Sequence, residues 1–319
     1  MLVHLRLVVP AELSTDVRDL LVDDRRTTNV TVQPGASVDP PGDLIEADVA
    51  REAADDILAS LDDLGLDQVG GICVSEPSAT PFAAAIQLEH NAHGEPDDGV
   101  IWDVVLQQAE SSSRASWSFY AFLVLATALA AVAVLTDAPI IVVGAMVVGP
   151  DYGVVAAICA GIALGRPKLA ARATVTLLRG FALSIVLVVA VALVARLAGA
   201  ITPADLLRPR PLTAFIWHPD WWSFVVAILA GTAGALAMTS AKSNALVGVF
   251  ISVTTVPAAG NLAVALALGV VSEITGSLLQ LGINVAGLLI AGVATMMVQK
   301  VTLRRHGRAV EKVGSEILH

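Results

Sequence analysis

Two long apolar runs of this chain are each interrupted near the middle, and a bilayer tolerates such interruptions in very few ways. One break falls in VGAMVVGPDYG, at Gly149-Pro150-Asp151. The other falls in ALVGVFISVTTVPAAGN, at Val256-Pro257. Proline lacks an N–H and collides with the preceding turn, so backbone groups are freed at membrane depth. Lipid cannot satisfy them, and they survive only where protein or a water-filled cavity covers them. Crossing a hydrocarbon core takes about 20 apolar residues. The sequence predicts six such spans, at Trp117 to Leu135, Ile140 to Leu164, Ala173 to Leu197, Trp222 to Met238, Ala245 to Leu268 and Ile274 to Val298. The breaks lie in the second and the fifth, the middle member of each set of three. With six crossings the two triplets run in opposite directions. A matched pair of Gly/Pro-interrupted segments in two inverted halves is the sequence pointer to a transport site at the midplane.

Positive charge predicts the orientation. Arg114, Arg166, Lys168, Arg172, Lys242, Lys300, Arg304, Arg305, Arg308 and Lys312 all fall on one side of a six-span arrangement. Both termini are therefore expected in the cytoplasm, with the chain as a multi-pass protein of the cell (inner or plasma) membrane. The outer side keeps Arg196, Arg208 and Arg210, and Trp217, Trp221 and Trp222 are expected there as an aromatic belt.

The charge changes sign along the chain. Residues 1–116 hold 22 Asp and Glu against 6 Lys and Arg, and the remainder holds 7 against 13. Such a shift marks a domain boundary. The predicted division is an acidic cytoplasmic α+β domain at 1–99, an amphipathic linker helix at 100–116, a transmembrane domain at 117–298 and a basic tail at 299–319. The acidic part excludes nucleic-acid binding, which needs a positive surface, and does not favour docking on anionic lipid. Leu2 to Val9, Val30 to Val32, Leu44 to Val49 and Val69 to Val74 read as strands, and Leu13 to Leu21 and Ala50 to Leu64 as helices. This β-α-β-β-α-β order is the ferredoxin-like pattern. Cys73 and Cys159 make neither a metal pattern nor a disulfide framework. Residues Met1 to Pro10 lack the apolar core of a signal peptide.

Three stretches resemble the prokaryotic "uncharacterized hydrophobic domain" membrane protein family: Val143 to Gly165, Ala230 to Gly269 and Leu278 to Met297. They occur in the order expected of that family, and the acidic α/β part resembles the domain that precedes its spans. Where the family commonly has Ser-Pro-Leu-Met-Gly-Pro, this chain has Gly149-Pro150-Asp151-Tyr152-Gly153. Where it commonly has Val-Pro-Pro, this chain has Val256-Pro257-Ala258. The second proline of each motif is missing, which implies milder breaks. The resemblance implies the architecture and no activity.

Asp151 is the leading candidate for chemistry. A carboxylate at a helix centre in lipid costs at least about 2.5 kcal/mol. It is expected either to bind a cation or proton, or to cap the second half-helix. Thr254, Thr255 and Asn261 flank Pro257 and offer hydroxyls and an amide to an ion or a polar solute; the threonines equally serve to re-satisfy the freed backbone. Gln280 and Asn284 share one helical face. Glu273, at an outer turn, is expected to be solvated. Lys242 and Ser243 form a candidate anion contact or, more plainly, a helix cap. Gly231, Gly234, Ala235, Gly161 and Gly165 are expected to let helices pack closely. In the acidic domain Gly70, Gly71, Ser75, Ser78 and Thr80 form a small-residue loop that either holds a nucleotide-like cofactor or simply turns. No nucleophile–base pair or metal cluster points to an enzyme.

Two functions are predicted. The first is a transporter or channel for a small ion or polar solute, gated by its cytoplasmic domain within a homo-oligomer. The second is a membrane-anchored sensor whose soluble domain binds a ligand.

Overall fold

The structure is a computed structural model that describes residues 2–91, 99–240 and 255–317. The chain forms two compact units: the first takes the residues up to Val105 together with Thr239 and Ser240, and the second begins at Leu106.

In the first unit the apolar alternation of the sequence becomes a four-stranded sheet, β1 (Leu2–Val9), β2 (Thr27–Val38), β3 (Pro41–Ala50) and β4 (Gly71–Ser75). The strand order is β2-β3-β1-β4, and every neighbouring pair is antiparallel. Leu5 stands opposite Ala47 on one side and Val74 on the other. Leu5, Leu7, Val9, Ile45 and Val49 turn to one face, under Val17 and Leu21 of α1 (Ser14–Asp23) and Ile57, Leu58 and Leu61 of α2 (Arg51–Asp63). The opposite face is polar. There His4 Nδ1 lies 2.8 Å from Asp48, and Arg6 lies 3.9 Å from Glu46. One dry face and one wet face is what an antiparallel sheet permits. The β2–β3 hairpin is longer than the apolar runs Val30 to Val32 and Leu44 to Val49 predict, because Thr27 and Ser37 pair through backbone groups that hydropathy does not register. The short α3 (Leu66–Val69) follows, then α4 (Ala83–Asn91) and α5 (Trp102–Ser112), which crosses the boundary between the units.

The second unit is helical: α6 (Trp117–Thr136), α7 (Pro139–Val148), α8 (Asp151–Ala163), α9 (Pro167–Leu197), α10 (Pro203–Leu207), α11 (Trp221–Thr239), α12 (Thr255–Leu268) and α13 (Val271–Ile317). Ser116 starts α6 by accepting from the Phe119 N–H, a side-chain N-cap. Among the described residues, four helices are long and apolar enough to cross a bilayer: α6, α9, α11 and Val271–Thr302 of α13. The pair α7 and α8 is apolar enough to do so together but is bent by 53°, the geometry of a broken span or of a re-entrant loop. The chain is thus a multi-pass membrane protein by the length and composition of its helices. Six spans were expected from the sequence. The run that would supply the sixth begins at Ala245, and residues 241–254 lie outside those described.

The 14-residue helix α12 sits at the centre of this unit, against α6, α9 and α13. Every residue of it is buried except Leu266. Gly260 permits that position, because an added Cβ would meet the Ala130 methyl at 2.5 Å and the Ala131 nitrogen at 2.8 Å. Of the predicted packing residues, Gly161 lies against the Ala170 backbone, Gly231 against Leu288 and Ala291, and Gly234 against the Tyr152 hydroxyl, while Ala235 is buried. Gly165 does otherwise: with φ +71° it turns the chain out of α8, and Arg166 N–H closes on Gly161 O at 2.7 Å. Trp221 and Trp222 are exposed, as belt residues must be. Trp217 is half-buried against His218, with the Arg210 guanidinium 5.9 Å from its ring centre, and does not belong to the belt.

Candidate functional site

The first break is a helix end followed at once by a helix start. Pro150 forces Gly149 out of the α region, to φ −68° and ψ 124°, so α7 stops there. Pro150 precedes the first residue of α8, where its missing N–H leaves no intrahelical bond unmade. Asp151 opens α8 and places its carboxylate at the positive end of that helix. It is 1 % exposed. Its Oδ2 accepts a hydrogen bond from the Thr255 hydroxyl, 104 residues away at the described start of α12. Thr255 is fully buried.

The chain is helical from Thr255 through Pro257 to Leu268. The discontinuity predicted at Val256-Pro257 is therefore not seen among the described residues. Thr254, Lys242 and Ser243 fall in the segment 241–254 and lie outside them.

A second polar group surrounds Asn261, two turns further along α12. Its Nδ2 donates to Glu273 Oε2 at 3.1 Å and to Ser277 Oγ at 2.8 Å. Its Oδ1 accepts from Arg210 Nη1 at 3.4 Å. Arg210 Nη2 also pairs directly with Glu273 Oε1. Both charged side chains are only 2 % exposed. Glu273 is therefore buried and paired, whereas its place at an outer turn predicts a solvated side chain. It is the counter-ion of an arginine that the loop between α10 and α11 folds inward. Arg210 Nε and Trp217 Nε1 are buried and lack a partner among the described residues.

Gln280 and Asn284 do share a face, and Gln280 Nε2 donates to Asn284 Oδ1 at 3.2 Å. With Glu273 and Ser277 they fall at i, i+4, i+7 and i+11 of α13, a single stripe. All four are buried. Gln280 Oε1 has no partner among the described residues. Sequence reading found Gln280 and Asn284 but missed Ser277, Arg210 and the pairing of Glu273. The i+4 and i+7 spacing around Ser277 was the available signal for that residue.

Two independent registers relate the stripe to Asp151. Helices α8 and α13 run in the same direction, since Cys159 lies against Leu289 and Gly292 while the Lys300 ammonium donates to Ala163 O at 3.1 Å. Eight residues back from each side, about 12 Å of helix, pairs Asp151 with positions 281–284. Helices α12 and α13 run in opposite directions, with Asn261 beside Ser277. Six residues back along α12 and about six forward along α13 pair Thr255 with position 283. Both routes bring the Asp151–Thr255 bond level with Asn284. The buried polar groups therefore form a descending series, from Arg210 and Glu273 through Asn261 and Ser277 to Gln280, Asn284, Thr255 and Asp151.

In the first unit the predicted ligand loop is divided. Gly70 and Gly71 lie at the start of β4 and Ser75 at its end, roughly 15 Å away at strand rise. An added Cβ on Gly70 would collide with Val8 O, so this glycine serves strand packing. Ser75 and Thr80 line an open groove of ≈ 380 Å³ with His4, Asp48, Glu76 and Phe82. Gly70, Gly71 and Ser78 do not line it. Among the described residues no group of three His, Cys, Asp or Glu side chains could hold a metal ion.

Residues 146–290 match the family described as Domain of unknown function (DUF389). That stretch runs from the end of α7 into α13 and holds every member of the polar series. A relative, the uncharacterized protein MJ0678 of Methanocaldococcus jannaschii, is 23 % identical over 206 residues, which is 65 % of this chain and 62 % of that protein. The match thus spans less than two thirds of that relative. No solved structure matches the chain. Residues 146–290 are accordingly similar to a domain family of unknown function, in line with the resemblance of the three motifs.

Proposed function

We propose that this protein passes a small ion or polar solute across the membrane along the buried polar series, with Asp151 at its inner station. The observation that carries this reading is the bond between Asp151 and Thr255. It joins the predicted break segments of the two halves, at the buried starts of two predominantly apolar helices. Apart from the Arg210–Glu273 ion pair, these contacts are hydrogen bonds of a kind that stabilises a helix bundle by only about 0.6 kcal/mol each on average. Their gathering in one column therefore favours a path over a fastening. In this reading the membrane unit has six spans as two inverted triplets, with both termini in the cytoplasm and the chain assembled as a homo-oligomer. The first unit is a ferredoxin-like domain that gates it.

The test is flux in proteoliposomes under imposed Na⁺, K⁺ and H⁺ gradients, read with ion- and potential-sensitive dyes. Asp151→Asn keeps an acceptor for Thr255 and is expected to abolish flux while leaving the purified protein monodisperse. In a background with Cys73 and Cys159 replaced by serine, Asn284→Cys is expected to react with a water-soluble thiol reagent. Equal flux from wild type and Asp151→Asn would remove Asp151 from the mechanism. Failure of the introduced thiol to react in either orientation would close the path.

A second reading rests on the groove beside β4. In it the soluble unit senses a nucleotide-like ligand through Ser75 and Thr80. A nucleotide-dependent rise in the thermal midpoint of the protein, lost in Thr80→Val, is its expected signature.

A further inference from the structure

The segment leading into α6 and one face of α9 enclose a groove of ≈ 410 Å³ that is distinct from the polar series. Arg114, Arg172 and Arg179 line it, and no carboxylate does. On α9, Arg172, Val175, Thr176 and Arg179 follow at i, i+3, i+4 and i+7, so they share one face. Two bonds fix the wall. Arg172 Nε donates to the buried Ser113 hydroxyl at 2.9 Å, and Thr176 Oγ1 donates to the Ser113 carbonyl at 3.0 Å. Held by Nε, the Arg172 guanidinium keeps both terminal nitrogens for another acceptor. Arg179 donates to nothing among the described residues.

The height of the groove identifies its occupant. Arg179 stands where α9 passes from its charged start, with Arg166 and Lys168, into exposed apolar residues such as Leu183 and Val186. Gly180, next to Arg179, lies against Phe119 of α6, and Trp117 at the start of that helix is 86 % exposed, as an interfacial tryptophan is. Val175 and Leu178 are exposed beside the arginines. Guanidinium pairs match phosphate oxygens in bidentate geometry. A basic pocket between helices at the headgroup level, with apolar flanks above, fits an anionic phospholipid better than a free phosphate, because acyl chains can cover those flanks.

We propose that this groove is a binding site for the phosphodiester of an anionic phospholipid, with Arg172 oriented by Ser113 as its fixed contact and Arg114 and Arg179 completing the charge. The full chain, purified in a mixture of phosphatidylglycerol and phosphatidylcholine, is examined by native mass spectrometry. Wild type is expected to retain phosphatidylglycerol in preference to phosphatidylcholine. Each arginine near the membrane contributes about fivefold in affinity. Arg179→Gln, which breaks no bond among the described residues, should therefore lower phosphatidylglycerol retention about fivefold, and Arg172→Gln/Arg179→Gln about 25-fold. Equal retention of the two lipids, or unchanged retention in Arg179→Gln, overturns the proposal. So does displacement of the lipid by millimolar inorganic phosphate, which would make the site one for a soluble phosphate.

Discussion

The pairing of Arg210 with Glu273 makes a quantitative prediction about what holds the loop between α10 and α11 onto the helices. Each side chain is 2 % exposed. Neither charge can be rehydrated where it stands if its partner is removed. Breaking such a pair from one side costs about 3–5 kcal/mol, because a buried charge is left behind. Glu273→Gln leaves the Arg210 charge facing an amide, and also removes the carboxylate that accepts from Asn261 Nδ2. Arg210→Met leaves the Glu273 carboxylate with the Asn261 amide as its neighbour and empties Asn261 Oδ1. Each single variant is expected to lose the full amount. The double variant Arg210→Met/Glu273→Gln removes both charges, and the introduced glutamine can pair amide to amide with Asn261. Replacing both ions with neutral groups of similar volume is close to neutral. The double variant should therefore be more stable than either single one, with a coupling of more than about 3 kcal/mol in a double-mutant cycle. Unfolding titrations in mixed dodecyl sulfate micelles, followed by tryptophan fluorescence, measure all four proteins. Additive losses, or single variants within about 1 kcal/mol of wild type, would show that Arg210 and Glu273 do not depend on each other, and the inward fold of the loop would need another cause.

Other substitutions probe separate links. Thr255→Val keeps the shape and removes the donor to Asp151, and should destabilise the membrane unit by about 1–3 kcal/mol in the same titration, whereas Thr255→Ser should stay near wild type. Gly260→Val forces a side chain into Ala130 and Ala131, and is expected to abolish monodisperse gel filtration, while Gly282→Ala, with open space around it, should not. In the first unit, burial alone would raise the Asp24 carboxyl, but the Arg26 side-chain and backbone hydrogen bonds and charge outweigh it and hold the group below the ordinary range. A carboxyl lowered in the folded state contributes stability that is complete above its unfolded value, near pH 4, and is lost as pH falls through the folded value. Urea unfolding of residues 1–105 should thus show a stability that falls as pH drops below about 4, and that falls less in Asp24→Asn.

What could be read from the sequence follows a physical rule about which interactions are local. Asp151 stands out because a carboxylate inside an apolar run has no cheap explanation, and Gln280 and Asn284 stand out because they are one turn apart. The strands of the first unit are legible for the same reason: their apolar residues alternate along a single stretch of chain. Glu273 was misjudged because its environment is made by Arg210, 63 residues away. A charge at a helix end has the same composition whether it meets water or an arginine. Ser277 was passed over because a single hydroxyl is common in apolar helices, and only the other three members of the stripe give it meaning. The central place of α12 was the least legible. Its residues are as apolar as those of α9, yet α9 exposes Leu183, Val186, Leu187 and Val191 while α12 exposes only Leu266 among its large hydrophobic side chains. Hydropathy sorts residues by their dislike of water, and lipid and protein interior are alike in lacking it. The one local hint was size. Ala258, Ala259, Gly260, Ala263, Ala265 and Ala267 make α12 slender, and a slender helix is the kind that can be surrounded closely on all sides. That slenderness also explains why the two polar residues it carries, Thr255 and Asn261, both find partners on other elements: the neighbouring helices stand close enough to supply them.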